Sequence, residues 1–344
     1  MVKLPVKIPL VRLYPWHSCY LSVLSNYDEC MPWILTKFIP VFCLSNEKNE
    51  LWVDYYSLDN NDKDFCPWLA CNSSRIDYEM ISMLLDSTST SLCDLLLKAI
   101  SKGFYISIEI DDFYLSSSMS YKNFSIIHEY LLYGYDADKK IFFSAGHFNH
   151  GQFGFSNISF SDIEKGYINE STYRHYNGKQ QKPIRFLKFD ATGLFDFNID
   201  LVAALLNDYI NGVNTQCNFN IYRNIYPHKV IAYGVNRYSF IKKYYASIVN
   251  AEELDLRPLY SICDHCRVIY ELLCFIKGCK YFVSMKTFIE EYRAICEKAQ
   301  AALNIAIKCR MSNNITSLVK INALLDNVFN LEVELIKKIT TQLR

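Results

Sequence analysis

Apolar and polar positions alternate in short runs over the first 190 residues, and beyond 258 they settle into a repeat of three to four. The first helical pattern follows Tyr14-Pro15-Trp16-His17-Ser18, with Leu21, Leu24 and Tyr27 on one face. A proline and a serine hydroxyl ahead of such a face are start signals, and they put Cys19 in the first turn. Apolar residues run or alternate between Phe38 and Tyr56, which predicts strands or a hairpin around Asn46 to Asn49. Ile81 to Leu85 and Leu92 to Ile100 read as helices, the second closed by Lys102-Gly103.

The clearest strand pair comes next. Phe104 to Asp111 alternates, a polar loop runs from Ser116 to Ser125, and Ile126 to Tyr135 is β-rich. Asp138-Lys139-Lys140 reads as a hairpin turn and Ile141-Phe142-Phe143 as the returning strand. Gly146 to Gly154 then reads as a loop, Ser161 to Tyr167 as a short helix and Ile184 to Phe189 as one more strand. Phe288, Tyr292, Ile295, Ala299, Ala302 and Ala306 line one helix face, and Leu318, Ile321, Leu325, Val328, Leu331 and Leu335 line another. The expected class is α+β: a strand-rich domain over residues 1–250, then a C-terminal helical bundle over 251–344.

Composition narrows this picture. The chain has 344 residues, half of them apolar and 15% aromatic, enough for a sizeable core. Its 36 basic and 36 acidic side chains balance, so no net charge recommends nucleic acid or an anionic membrane as a partner. Thirteen cysteines, an odd number scattered from Cys19 to Cys309, do not resemble a disulfide framework. With no signal-peptide pattern and no run approaching 18 uncharged apolar residues, the expectation is a soluble cytoplasmic protein with reduced thiols and no membrane partner.

Two residues carry candidate chemistry. A thiolate is the nucleophile, and a helix N-terminus and a nearby imidazolium both favour it. Cys19 meets the first condition, and its own N–H, free at a helix start, would help to bind an oxyanion. His128 opens a later strand, 109 residues on. Nucleophile on an early helix and base on a later strand is the order of papain-like enzymes. Each residue alone is more ordinarily a buried thiol or a core histidine; the conjunction favours chemistry. Cys263-Asp264-His265-Cys266 with Cys274 and Cys279 has the wrong spacing for zinc and fits helix burial better. Asp111-Asp112 could be a general-acid pair or a hard-metal site, but a loop-capping or substrate-facing role is the better expectation. His147 and His150 flank the loop after the hairpin as pocket-lining candidates. No phosphate loop, dinucleotide fingerprint or metalloprotease motif is present.

Several segments resemble the N-terminal domain of the butirosin-biosynthesis BtrH type, papain-fold acyltransferases of natural-product clusters. They are Gly103 to Leu115 (GFYISIEIDDFYL), His128 to Asp136 (HEYLLYGYD), Ser159-Phe160-Ser161-Asp162-Ile163, His17 to Leu24 (HSCYLSVL) and Ala232-Tyr233-Gly234-Val235. The clear part covers about a fifth of the chain. The resemblance implies a papain-like (cysteine-peptidase-like) fold and an acyl group moved from a carrier-protein thioester through Cys19 to an amine. It implies no bound cofactor, since phosphopantetheine arrives on the acyl or peptidyl carrier protein, and a small amine as acceptor. Catalytic residues would be Cys19, His128 and Asn149, with Asp111, Ser144 and His147 facing substrate.

Two departures weaken the pattern. The family's Asp after the histidine strand is missing from Phe142-Phe143-Ser144-Ala145-Gly146-His147-Phe148-Asn149, leaving Asn149, or more weakly Ser144, to orient His128. Leu13 stands where papain-like enzymes often place an oxyanion-hole Gln. A cysteine peptidase or thioesterase, or a non-catalytic substrate-binding relative, are the alternatives. Lys179, Lys182, Arg185 and Lys188, and Lys242 with Lys243, are basic clusters read either as solvated faces or as docking sites for an acidic carrier.

Overall fold

A computed structural model describes the chain except for residues 46–49, 57–68, 72–90, 149–151, 169–183, 220–221, 223–228, 280–284 and 344. In chain order, the first half carries β1 (Val2–Lys3), α1 (Pro15–Leu24), α2 (Met31–Lys37), β2 (Val41–Ser45), β3 (Leu51–Tyr55), β4 (Leu69–Cys71), α3 (Leu92–Ser101), β5 (Tyr105–Asp111), β6 (Ile127–Asp136) and β7 (Ile141–Phe148). Then come β8 (Gln152–Ser159), α4 (Phe160–Ile168), β9 (Ile184–Phe189), α5 (Ile199–Asn211), β10 (Val230–Tyr233), α6 (Arg237–Ser247), α7 (Arg257–Gly278), α8 (Met285–Ser312) and α9 (Val319–Leu343). The α+β class holds, with antiparallel sheets and a helical C-terminal region.

The domain division differs from a boundary at 250. Met1–Cys30 joins Asp62–Leu194 in one compact unit, and Met31–Asn61 joins Phe195–Arg344 in the other. The second unit thus takes an early hairpin as well as the helices between 195 and 250. Strand β10, which ends at the tyrosine of the Tyr-Gly step, closes a three-stranded sheet in the order β10-β2-β3. Such pairing over nearly 190 residues leaves no local trace in the sequence.

In the first unit the sheet order is β4-β9-β5-β6-β7-β8, with the short β1 also on β6. Side chains of a strand alternate between faces, so the register assigns every residue to one side. Ile106, Ile108, Ile110, Tyr130, Leu132, Phe142 and Ile158 share a core with Leu96 and Ile100 of α3 and Ile163 and Tyr167 of α4. The opposite face receives α1, whose Tyr20 hydroxyl donates to Glu129. Helix α3 starts in a capping box between Ser91 and Asp94. At Gly134 a Cβ would stand 2.6 Å from the Val2 carbonyl oxygen, so glycine is what lets β1 approach β6.

Two local expectations are corrected. The stretch expected as a loop from Gly146 to Gly154 instead holds the end of β7 and the start of β8, which pair from Ile141↔Ser159 to Phe148↔Gln152. Its glycines dilute the alternation of Phe153 and Phe155 that marks the strand. Helix α1 begins at Pro15, a turn earlier than read. The helix expected at Ile81 to Leu85 and the turn at Asn46 to Asn49 lie outside the described residues. Among those described, no helix is long and apolar enough to cross a membrane.

The second unit is organised around a buried carboxylate. Glu332 of α9 accepts hydrogen bonds from Tyr209 (2.8 Å), Tyr238 (2.8 Å) and Tyr292 (2.6 Å), and lies 3.6 Å from His265 Nδ1. Arg237, also fully buried, donates to the Gly234 carbonyl and lies over the rings of Tyr209 and Tyr238. Burial alone would raise the Glu332 carboxyl, but His265, Arg237 and Tyr292 outweigh it and hold it at about 2. His265 is pushed down, first by burial and then by Arg237. Cys263 and Cys266, two thiols of the Cys263-Asp264-His265-Cys266 stretch, are buried on α7 beside it.

Both shifts act in one direction. Glu332 and His265 bind protons more readily in the unfolded chain, whose values are about 4.3 and 6.5. Stability is therefore full above about pH 6.5 and falls as pH drops toward the folded Glu332 value of about 2. Glu332→Ala leaves Arg237 buried without its counter-charge and should cost about 3–5 kcal/mol. Urea denaturation at pH 7 measures it, and a loss under about 1 kcal/mol would show that Arg237 finds compensation elsewhere.

Candidate active site

Strand β6 lies between β5 and β7, with Ile110↔His128 on one side and Leu131↔Ala145 on the other. The same ladder brings residue 112, two positions past Ile110, diagonally beside the His128 ring; the Asp112 N–H bonds the Ile126 carbonyl at 2.9 Å. The Asp112 carboxylate, almost fully buried, meets His128 Nδ1 at 2.8 Å through Oδ2. It also accepts from the Tyr130 hydroxyl (2.7 Å, on Oδ1) and from Ser118 Oγ (2.9 Å, on Oδ2). Because a carboxylate oxygen is the partner, Nδ1 carries the proton, and Nε2 is the basic nitrogen of the neutral ring. The side chain of His128 keeps 37% exposure while that of Asp112 keeps 4%. This is an oriented imidazole open to solvent.

The sequence flagged Asp112 only as half of a carboxylate pair. The orienting carboxylate expected on the strand after His128 comes instead from the residue just past the end of β5. Its signal was the antiparallel register itself. Asn149, expected in that role, lies outside the described residues, as does His150.

Asp111 and Ser144 are turned to structural work. Asp111 is fully buried and accepts from Phe113 N–H (3.1 Å), Ile126 N–H (3.2 Å) and Ser125 Oγ (3.0 Å), so it caps the loop, one of the two roles expected of it. Ser144 is buried too, and its hydroxyl donates to the Ser156 carbonyl across the β7–β8 ladder at 2.9 Å.

Cys19 sits elsewhere than a first turn. It is the fifth residue of α1, so its N–H is spent on the helical ladder and is not free for an oxyanion. Its thiol is completely buried and points at the Ala145 carbonyl oxygen, 3.9 Å away. Burial first, and then the negative charge of Glu129, push the thiol well above its ordinary value; a backbone hydrogen bond at Leu131 opposes them. Glu129 is held by Ser107 Oγ, by Tyr20 (3.1 Å) and by Arg185 (3.2 Å). Resting Cys19 is thus a protonated thiol.

No hydrogen bond joins Cys19 to His128. By strand parity His128 shares the face of Tyr130 and Leu132, whereas α1 packs on the face of Glu129. The link between them is indirect: the Tyr130 hydroxyl, fixed on Asp112, feels the charge that Cys19 would carry. His147, from β7, is on the α1 face. Its Nε2 bonds the Arg12 carbonyl at 2.7 Å, and its ring meets Phe153 edge-on at 5.7 Å. Burial, followed by the nearby His128 charge, lowers it to about 4 against the Arg12 bond.

In the basic clusters Lys188 and Lys243 are exposed, over the rings of Phe104 and Phe240. Arg185 turns inward to Glu129 and Tyr20, Lys242 pairs with Asp326, and Lys179 and Lys182 lie outside the described residues. Among the described residues no group of acidic, histidine or cysteine side chains is arranged to hold a metal.

Glu129→Gln removes the charge that raises the thiol while keeping a hydrogen-bonding group. Cys19 alkylation by iodoacetamide at pH 8 should then run several-fold faster than in the unaltered protein. An equal rate would show that burial alone protects the thiol. No family model matches the chain, and no curated protein does; the chemistry of the site therefore rests on its own atoms.

Proposed function

We propose that the first unit is a papain-like acyltransferase domain that carries an acyl group on Cys19 from a carrier-protein thioester to a small amine. The observation that carries this reading is the Asp112–His128 pair. It supplies the oriented acid–base imidazole that the sequence pattern lacked, on the sheet whose other face holds a buried cysteine on an early helix.

In the proposed step the Cys19 sulfur attacks the thioester carbonyl carbon and gives up its proton as the C–S bond forms. The tetrahedral intermediate collapses, the donor's C–S bond breaks, and the leaving thiolate takes a proton to depart as a thiol. The amine then attacks the acyl-Cys19 carbonyl, Cys19 leaves, and the lost proton restores its thiol. A thioester suits this site better than a peptide bond, because a thiolate leaves easily and asks less of an oxyanion hole. The phosphopantetheine arm and the carrier protein would come with the donor, in biosynthesis of the non-ribosomal-peptide kind. A raised thiol pKa means that attack and proton removal occur together.

A second reading has its own support. Complete burial of Cys19 and the absence of a Cys19–His128 hydrogen bond suit a relative that binds substrate without turning it over. Product analysis separates the two. With an N-acetylcysteamine acyl thioester and a primary amine at pH 7.5, the protein should form amide at least 100-fold faster than Cys19→Ala. Free acid formed equally with and without the amine would make it a thioesterase. Equal amide from both proteins would leave the binding reading.

A further inference from the structure

We propose that Cys266 and Cys296 form a hydroperoxide-sensitive thiol pair, closing reversibly to a disulfide that ties α7 to α8. The pair lies wholly in the second unit, and acyl transfer plays no part in it.

Spacing sets the pair up. Helices α7 and α8 pack on each other. The buried residues of α7 include Cys263, Cys266, Ile269 and Leu273, three to four apart and so on one face. On α8, Tyr292, Ile295 and Ala299 are buried at the same interval. Cys296 comes one residue after Ile295, about 100° further round the helix, and is half-buried. A cysteine inside the seam thus meets one at its edge.

Contact completes the arrangement. Cys296 Sγ donates to the Cys266 carbonyl oxygen at 3.4 Å, and the two thiols hydrogen-bond to each other. A sulfur that lies against both the backbone and the thiol of a second cysteine is on the approach a disulfide needs. Cys266 keeps its proton, because the bond to Cys296, then burial, then the Glu332 charge raise it well above its ordinary value. The more open Cys296 is therefore the sulfur an oxidant meets first, and Cys266 is the resolving thiol.

The chemistry closes with a hydroperoxide as the oxidant. The Cys296 sulfur attacks one peroxide oxygen and the O–O bond breaks. The departing oxygen takes the thiol proton, leaving Cys296 as a sulfenic acid. The Cys266 sulfur then attacks Cys296, the S–O bond breaks, and the hydroxyl leaves with the Cys266 proton as water. Two thiols supply the two electrons that reduce one peroxide. An external thiol reopens the bridge by exchange.

Closure braces the buried centre of this unit. His265, next to Cys266, lies 3.6 Å from Glu332, and Tyr292, one turn before Cys296, donates to the same carboxylate. The bridge links positions thirty residues apart, so it also restricts the unfolded chain.

Peptide mapping of the full chain tests the pair. Reduced protein is exposed to one equivalent of hydrogen peroxide at neutral pH, blocked with N-ethylmaleimide and digested without reduction. The peptides holding Cys266 and Cys296 should be joined, lighter by two hydrogen atoms than the two together, and dithiothreitol should part them. Recovery of both as maleimide adducts would overturn the proposal. So would a Cys263–Cys296 link, or sulfinic acid on Cys296 with no link.

Variants test the order of events. In Cys266→Ser, dimedone should trap a sulfenic acid on Cys296, whereas in Cys296→Ser, Cys266 should stay unlabelled. The opposite labelling would overturn the roles assigned to the two sulfurs. In urea, the oxidised protein should unfold at a higher midpoint than the reduced one; an unchanged or lower midpoint would overturn the bracing.

Discussion

Antiparallel pairing of β6 between β5 and β7 decides which side chains of the first unit can meet. Once Ile110 stands opposite His128, and Leu131 opposite Ala145, parity distributes the chemistry. Asp112, Tyr130 and His128 gather on the face that also builds the apolar core. Glu129, Ala145 and His147 fall on the face covered by α1. A slip of one residue would exchange the faces and bury charge in the core. Gly146 shows how tightly the arrangement is drawn: a Cβ there would lie 2.5 Å from the Tyr130 ring. The ring that holds Asp112 thus crosses the strand at a residue with no side chain.

Buried charge recurs in both units with the same solution. Glu129 takes donors from Tyr20, Ser107 and Arg185, and Glu332 takes three tyrosine hydroxyls with Arg237 nearby. Each carboxylate trades water for several fixed donors, which offsets desolvation. In the first unit the charge has a second effect, because it adds to burial in keeping Cys19 protonated. The nucleophile proposed for this protein is therefore held in reserve, unlike one set at a helix start beside an imidazolium.

Much of the fold was legible because β5, β6 and the long C-terminal helices carry strong local periodicity. Strand β8 was not, since Gly154 interrupts its pattern, and neither was the assignment of residues 31–61 to the second unit, which depends on β10 far along the chain. For the site, Cys19 and His128 stood out as residue types in plausible elements. Their separation onto two faces is a matter of register, which periodicity does not specify. Asp112 and His147 read from the sequence only as a loop cap and a pocket-lining residue. Their roles emerge only from which atom each ring nitrogen or carboxylate oxygen meets.

The central claim is that one thiol among thirteen receives the acyl group. Peptide mapping by mass spectrometry, after brief exposure to an acyl thioester at neutral pH, tests it most directly. The account predicts a single acyl group on the peptide containing Cys19, removed on addition of a primary amine. Acylation confined to exposed cysteines such as Cys217 and Cys279, with Cys19 unmodified, would contradict it.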